Sequence, residues 1–285
     1  MLHRFIDSIE RYADKEQRFL LAVSGGLDST LLVHFALEAG LDIGIGHCNY
    51  QLRGAESDAE EIFVKKLALG AGVPFYAVKF DTKEWLKEHN LTLQEGARQL
   101  RYSWLEEILE HNGFDHILTA HHVNDSLETF LYNFSKGTGL KGLTGIPPQN
   151  GKIVRPMLAY SRPELKQYAR DNGIDYCLDS SNEKDDYARN KIRHHIVPIL
   201  KEINPSLEET FKSTLSNLQR ASAFIDTHIR KLYEETVHQE GTILYFSKAK
   251  LQHHPNLSFF LFETLQSYGF NGAVIKDMIE KGNQP

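Results

Sequence analysis

Residues 24–29 read SGGLDS and stand between the apolar run FLLAV (19–23) and an amphipathic stretch that starts at Asp28. Gly25 and Gly26 have no Cβ, so the backbone can turn sharply and bring successive N–H groups onto an anion, while the start of the next helix adds a favourable partial charge. That is the chemistry of a phosphate cradle. Ser24 and Ser29 add hydroxyl donors, and Asp28 is placed to hold a divalent cation that bridges phosphates. The plainer reading of the same residues is a strand-to-helix turn with Asp28 as its cap.

A second reactive stretch is TAHHVNDSLET (119–129), directly after the run DHILTA. His121, His122, Asn124, Asp125 and Glu128 fit three arrangements: a zinc site, a carboxylate that shares Mg²⁺ with Asp28 while histidines contact phosphate or base, or a helix capped by Asp125 with the histidines in packing. Zinc needs a third ligand and an open water position, and no supporting Cys or His spacing accompanies it. In LDSSNEKDDYARNKIRHHIVP (178–198), Arg189, Lys191, Arg193, His194 and His195 concentrate positive charge within a few helical turns. Such a run suits phosphate or RNA-backbone recognition, or simply a solvated helix face. RYSWLEEIL (101–109), preceded by Arg98, reads as a packed helix on which Arg98, Arg101 and Tyr102 form one polar ridge.

These groups lie far apart in the chain, so a scaffold must bring them together. The runs 19–23, 41–49, 74–80 and 115–120 read as buried strands, and 28–39, 56–71, 93–111 and 124–135 have helical spacing. Strand-helix alternation predicts an α/β fold: a doubly wound, mainly parallel sheet with ligands outside the carboxyl ends of its strands. After residue 136 come a Gly-rich loop, the short stretch GKIVRPML and a helix beginning near Arg162. Asn204-Pro205 then breaks the chain, because proline disfavours helix in the residue before it and Ser206 can cap a helix after it. The boundary predicted there separates a catalytic domain, 1–205, from a smaller, mainly helical domain, 206–285. The second domain is predicted to open with a long helix over 207–237 and to contain a strand at TILYFS (242–247) and two further helical stretches. GTGLKG (137–142) has the glycine spacing of a dinucleotide-binding turn but comes after a helix instead of a strand. Gly145 to Lys152 resembles a Walker loop with five residues, not four, between its glycines. Both are set aside.

The chain has 285 residues, two cysteines (Cys48 and Cys177) and a formal charge of −6. That balance argues against indiscriminate coating of nucleic acid and leaves room for a local basic patch. The cysteines have neither metal nor redox spacing, the N-terminus lacks an uninterrupted apolar core, and no apolar run approaches the ~20 residues of a membrane span. The expectation is a cytoplasmic protein with no membrane association.

Taken together, the motifs bear a resemblance. SGGLDS resembles the pyrophosphate loop of the N-type ATP pyrophosphatases (the PP-loop superfamily, Rossmann-like in fold), and the remaining stretches narrow it. HCNYQLRG (47–54), QEGARQLRY (94–102), TAHHVNDSLET (119–129), GLKGLTGI (139–146), VRPML (154–158) and DSSN followed by YARNKIR (179–193) occur in an order and spacing similar to the tRNA(Ile)-lysidine synthetase family. The resemblance covers roughly residues 15–200. One departure is Ser126, where the family usually has Gln.

The resemblance implies a ligase that uses ATP and Mg²⁺ to adenylate C2 of the anticodon cytidine of a tRNA(Ile) with a CAU anticodon. Free L-lysine then attacks, releasing AMP after pyrophosphate. It implies ATP contacts at Ser24, Gly25, Gly26, Leu27, Asp28, Ser29 and His121, with Mg²⁺ at Asp28 and Asp125. Asp28, Asp125 and Arg193 are the implied catalytic groups; Arg98, Arg101, Glu128, Arg189 and Asn190 are implied for substrate or tRNA. Asp125 or Glu128 would receive the lysine ammonium, and the region after Pro205 would help to hold tRNA. Members commonly continue into a further C-terminal domain, so the expectation is a short member or a chain truncated after Pro285.

Two other readings compete. A tRNA thiolase with the same loop generally calls for a persulfide cysteine with a resolving partner or an iron-sulfur cluster, which Cys48 and Cys177 do not offer. A non-catalytic ATP-binding module would bind nucleotide without forming AMP, and it leaves the ordered motifs beyond the loop unexplained.

Overall fold

The structure, a computed structural model, describes residues 1–89, 91–178 and 188–282. The DSSN stretch and Tyr187 therefore lie outside the described residues. The chain divides into two compact units, Met1–Leu215 and Ser216–Pro285.

The first unit runs α1 (Leu2–Glu10), β1 (Arg18–Ala22), α2 (Leu27–Glu38), β2 (Asp42–Asn49), α3 (Ala55–Ala71), β3 (Phe75–Lys79), α4 (Thr82–His89), α5 (Leu93–Asn112), β4 (His116–Leu118) and α6 (Val123–Lys136). It continues with β5 (Gln149–Asn150), β6 (Ile153–Val154), α7 (Arg162–Asp171), α8 (Ala188–Lys191), α9 (Val197–Ile203) and the start of α10 (Leu207–Thr236). A 3-10 turn spans Leu140–Leu143 and a π turn spans Ile192–Ile196.

The sheet order is β3-β2-β1-β4-β6-β5, parallel except for the β5–β6 pair. Phe19 on β1 is in register with Ile43 on one side and His116 on the other. The strand order reverses between β1 and β4, which opens a crevice at their carboxyl ends. As the alternation predicts, β1 is apolar from Phe19 to Ala22 because both of its faces are buried there. Phe19 and Leu21 join a core with Phe5, Phe35 and Tyr160, whereas Leu20 joins Leu105, Leu109, Phe114 and Ile117 in another. A Cβ at Gly46 on β2 would stand 2.9 Å from Leu105 Cδ2, so glycine there lets α5 close on the sheet. Helix α5 is fixed at its start by a reciprocal cap in which Thr92 Oγ1 accepts from Glu95 N and Glu95 Oε2 accepts from Thr92 N.

The sequence reading assigned no element to α1 or α4. In α1 the apolar residues Leu2, Phe5, Ile6 and Ile9 do recur at helical spacing among polar neighbours, with Phe5 and Ile9 buried, so the pattern was present though no element was assigned to it. Strand β4 is three residues long where six were expected, because the chain leaves the ladder after Thr119 to form the site.

In the second unit, β7 (Val237–Glu240) and β8 (Ile243–Phe246) form a hairpin, followed by α11 (Lys248–Leu251), α12 (Leu257–Leu265) and α13 (Gly272–Gly282). Leu251, Phe260, Leu261, Leu265 and Ile275 form its core. Among the described residues no helix is long and apolar enough to cross a membrane.

Candidate active site

The loop after β1 is built around Gly25, whose φ of 94° is a conformation that side-chain-bearing residues rarely adopt. A Cβ there would also meet Val64 Cγ2 at 3.2 Å. The Gly25 carbonyl is held from two directions, by Cys177 N at 2.9 Å and Thr30 Oγ1 at 3.2 Å. The N–H groups of Ser24 and Gly25 converge on Ser29 Oγ at 3.2 Å each, and Ser24 Oγ lies 3.1 Å from the same atom. Helix α2 starts at Gly26 with no side-chain cap, so its first N–H groups remain available to an anion.

This loop forms one wall of a cavity of about 220 Å³ at the carboxyl ends of β1, β2 and β4. Asp28, Cys48, Arg101, His121 and Asp125 also line it. Helix α6 presents Asp125 at its third position, where Oδ2 accepts from His122 N at 2.9 Å. The capping reading of Asp125 thus holds, and the same carboxylate faces the cavity.

His122 joins the two acids. Its Nε2 lies 3.6 Å from Asp28 Oδ2 and its Nδ1 3.4 Å from Asp125 Oδ2, with the side chain 3% exposed. Burial opposes charge on this imidazole, but Asp125 and Asp28 outweigh it and raise its pKa. Burial likewise opposes ionisation of Asp28, yet His122, with Arg162 and Arg193 beyond it, holds that carboxyl below the usual range. His121 behaves oppositely. Burial drives it down to about 4, reinforced by Arg155, Arg101 and Arg98 against the pull of Asp125, so the ring is neutral near pH 7. Its Nδ1 is 2.9 Å from Thr119 Oγ1.

Arg193, from the π turn, binds Glu128 in a fork: Nε donates to Oε1 at 2.6 Å and Nη2 to Oε2 at 2.9 Å. Nη2 also lies 3.6 Å from Asp125 Oδ1. Opposite, the guanidiniums of Arg98 and Arg101 sit 4.7 and 4.9 Å from the centre of the Tyr102 ring. The cavity therefore has an acidic end at Asp28 and Asp125 and a basic wall at Arg101.

A family model described as the PP-loop domain matches residues 1–200. The chain belongs to the PP-loop family. A second model, described as the TilS substrate-binding domain, matches residues 239–284. A tRNA(Ile)-lysidine synthase of Bacteroides thetaiotaomicron is 39% identical over 274 residues, covering 94% of this chain and 63% of that protein. One from Thermosipho africanus is 35% identical over 275 residues, with the same 94% and 63% coverage. The chain thus spans 63% of the length of each of these two relatives. Among solved structures, a U34-tRNA thiolase from Methanococcus maripaludis with its iron-sulfur cluster aligns with a TM-score of 0.62 at 14% identity, over 76% of this chain and 77% of that one. At that identity the likeness shows the fold alone.

The PP-loop site fits a divalent cation. Asp28 Oδ1 is buried and has no hydrogen-bond partner, which is costly for a carboxylate unless something fills the gap. Magnesium needs only one or two protein carboxylates beside water and phosphate oxygens. Among the described residues no group of three or more His, Cys, Asp and Glu is arranged to hold a metal, so the zinc reading finds no ligand set. Cys48 is a thiol whose pKa burial pushes up to about 12, far from the thiolate that sulfur transfer uses.

The structure gathers Ser24, Asp28, Ser29, Arg101, His121 and Asp125 around one cavity, with Gly25 and Gly26 in its loop and Arg193 on Asp125. Leu27 turns its side chain into the core, leaving only its backbone to the loop. Glu128 has both oxygens on Arg193, so Asp125 is the more open carboxylate. Arg98 stands behind Arg101 on Tyr102. Arg189 is exposed and Asn190 half-buried on α8, and neither lines this cavity. Ser126 is buried beneath the Gly-rich loop, accepting a hydrogen bond from Ile146 N at 3.4 Å, so it is a support for that loop. Sequence reasoning named His122 in the TAHHVNDSLET cluster but gave it no place in the implied site, and it did not single out Arg155. His122 was visible beside Asp125 in the motif; the signal for Arg155 was the stretch VRPML, and the residue is 3% exposed with Nη1 on the Pro147 carbonyl at 2.7 Å.

Proposed function

We propose that the chain carries out ATP-dependent ligation of L-lysine to C2 of the anticodon cytidine of a tRNA(Ile) with a CAU anticodon. The observation that carries this reading is the pairing of Arg193, Glu128, Asp125, His122 and Asp28 around the glycine loop, in a PP-loop chain whose 35–39% identical relatives bear that name.

In the first step the C2 oxygen of cytidine bonds to the α-phosphorus of ATP, and the bond from that phosphorus to the bridging oxygen breaks to free pyrophosphate. In the second, the lysine ε-nitrogen bonds to C2 while the C2–oxygen bond breaks, and AMP leaves. The attacking nitrogen gives up a proton. The loop amides of Ser24 to Ser29 and the open start of α2 suit the pyrophosphate, with the Ser29 hydroxyl yielding its two N–H partners to a phosphate oxygen. Asp28 and Asp125 would hold Mg²⁺, which supplies charge neutralisation for the departing pyrophosphate when bound. Neutral His121 and Arg101 lie on the wall that would meet the nucleotide. Arg193, braced by Glu128, offers positive charge beside Asp125 for the reacting phosphate.

AMP release from labelled ATP tests the reading. It should require a CAU transcript and should collapse when the anticodon cytidine is replaced by uridine. AMP formation indifferent to that change would overturn the assignment, and nucleotide binding without any AMP would favour the non-catalytic module.

A further inference from the structure

Beside the site lies a second concavity, of about 480 Å³, between α6, α7 and the segment carrying the π turn and α9. Five cations line it: Arg162, Lys166, Arg170, Arg193 and Lys201. Two of them are neutralised, Arg193 by Glu128 and Lys201 by Glu208. The other three occupy positions i, i+4 and i+8 of α7 and so form one stripe along a single helix face, spaced about 6 Å apart along the axis. Among the described residues none of these three side chains makes an ion pair or hydrogen bond, and Arg162 Nε is buried without a partner.

The arrangement works against the helix that carries it. Like charges four residues apart repel, and Arg162 in the first turn opposes the helix dipole. The helix tolerates this because Ser161 and Glu164 cap it reciprocally. Three cations in a line about 12 Å long, of which Arg162 also acts electrostatically on Asp28, are too far apart to share one carboxylate or phosphate, but they match an anion that repeats along a chain. The groove also meets the active site, since Arg193 lies against both Glu128 and Asp125. We propose that the Arg162-Lys166-Arg170 stripe of α7 is a track for the sugar-phosphate backbone of the substrate RNA, leading the strand past Arg193 to the reacting nucleotide. This inference rests on the proposed function for its RNA. The stripe positions the strand and reads no base.

The test compares the wild type with a Lys166→Gln/Arg170→Gln double variant, both exposed positions, and with a Lys65→Gln/Lys66→Gln control that removes the same charge from α3. Binding of a fluorescent CAU anticodon stem-loop is followed by anisotropy over a salt series, beside ATP binding by calorimetry and thermal melting. The track predicts a double variant with ATP binding and melting unchanged, RNA affinity lower by about tenfold or more at low salt, and a plot of log K against log salt shallower by about 1.4, from two lost contacts at ~0.7 each. The control should keep the wild-type slope. Wild-type RNA binding whose slope the double variant does not change would overturn the track alone, leaving the enzyme reading intact; a wild type that binds no RNA would overturn both. Inorganic phosphate bound stoichiometrically by the wild type and lost in the double variant would also overturn it, as a small-anion site.

Discussion

Arg193 joins three ideas at one side chain: it grips Glu128 in a fork, touches Asp125, and comes from a π turn, a backbone irregularity often found at functional sites. A lysine cannot reproduce the two-pronged geometry. Arg193→Lys should therefore lower AMP formation by about 10²-fold while leaving ATP affinity within a few-fold. Single-turnover kinetics with saturating ATP measures this, and a variant as fast as the wild type would remove Arg193 from the chemistry. His122 gives a pH signature. Its folded pKa is raised, so the stability that charged His122 contributes is fully present below the ordinary histidine value near 6.5 and is lost as the pH rises through the folded value. Asp28 runs the other way: its pKa is lowered, so its contribution is present above the ordinary carboxylate value of 3.8 and is lost as the pH falls. The stability gap between wild type and His122→Asn should therefore narrow as the pH rises above about 6.5, measured by urea denaturation at a series of pH values. A gap constant across that range would contradict a raised His122 pKa. At this scale the sequence revealed the acids, arginines and glycines because their types alone imply chemistry. It could not foresee the contrast between His121 and His122, since burial lowers the pKa of one and the acids within 3.6 Å raise that of the other only once the fold has formed.

At the scale of elements, the turn from β1 into α2 depends on Gly25. Alanine would occupy a left-handed conformation and press its Cβ against Val64 at 3.2 Å. Gly25→Ala should cost about 1–2 kcal/mol of stability and weaken ATP binding more than that loss suggests, because the loop amides would shift; melting and nucleotide titration together separate the two effects. Strands β1, β2 and β4 were legible because parallel strands buried on both faces read as largely apolar runs, and the edge strand β3, only partly buried, because its aromatic and β-branched residues favour strands. Helix α1 carries a helical apolar pattern that went unassigned, the short α4 offers only Trp85 and Leu86, and β7 was not legible because its residues Val237–Glu240 continue the polar composition of α10 without Gly or Pro. What stops α10 is the pairing of β7 with β8, a contact that no local window contains.

At the scale of the molecule, a chain with net charge −6 gathers Arg98, Arg101, Arg155, Arg162 and Arg193 around one region of the first unit. Overall composition hides such a concentration, because charges distant in sequence converge only when the sheet brings the ends of β1, β2 and β4 together. The same convergence places a cation-ready carboxylate, a glycine loop and an arginine wall on one small cavity, which is what a nucleotide-activating ligase requires. The most direct measurement is mass spectrometry of a CAU tRNA(Ile) transcript digested to nucleosides after incubation with the protein, Mg-ATP and isotopically labelled lysine. The proposed function predicts one cytidine carrying the lysine label, located at the anticodon and absent from Asp28→Ala reactions. Unmodified cytidine in every digest, from wild-type protein that binds both ATP and the transcript, would contradict it.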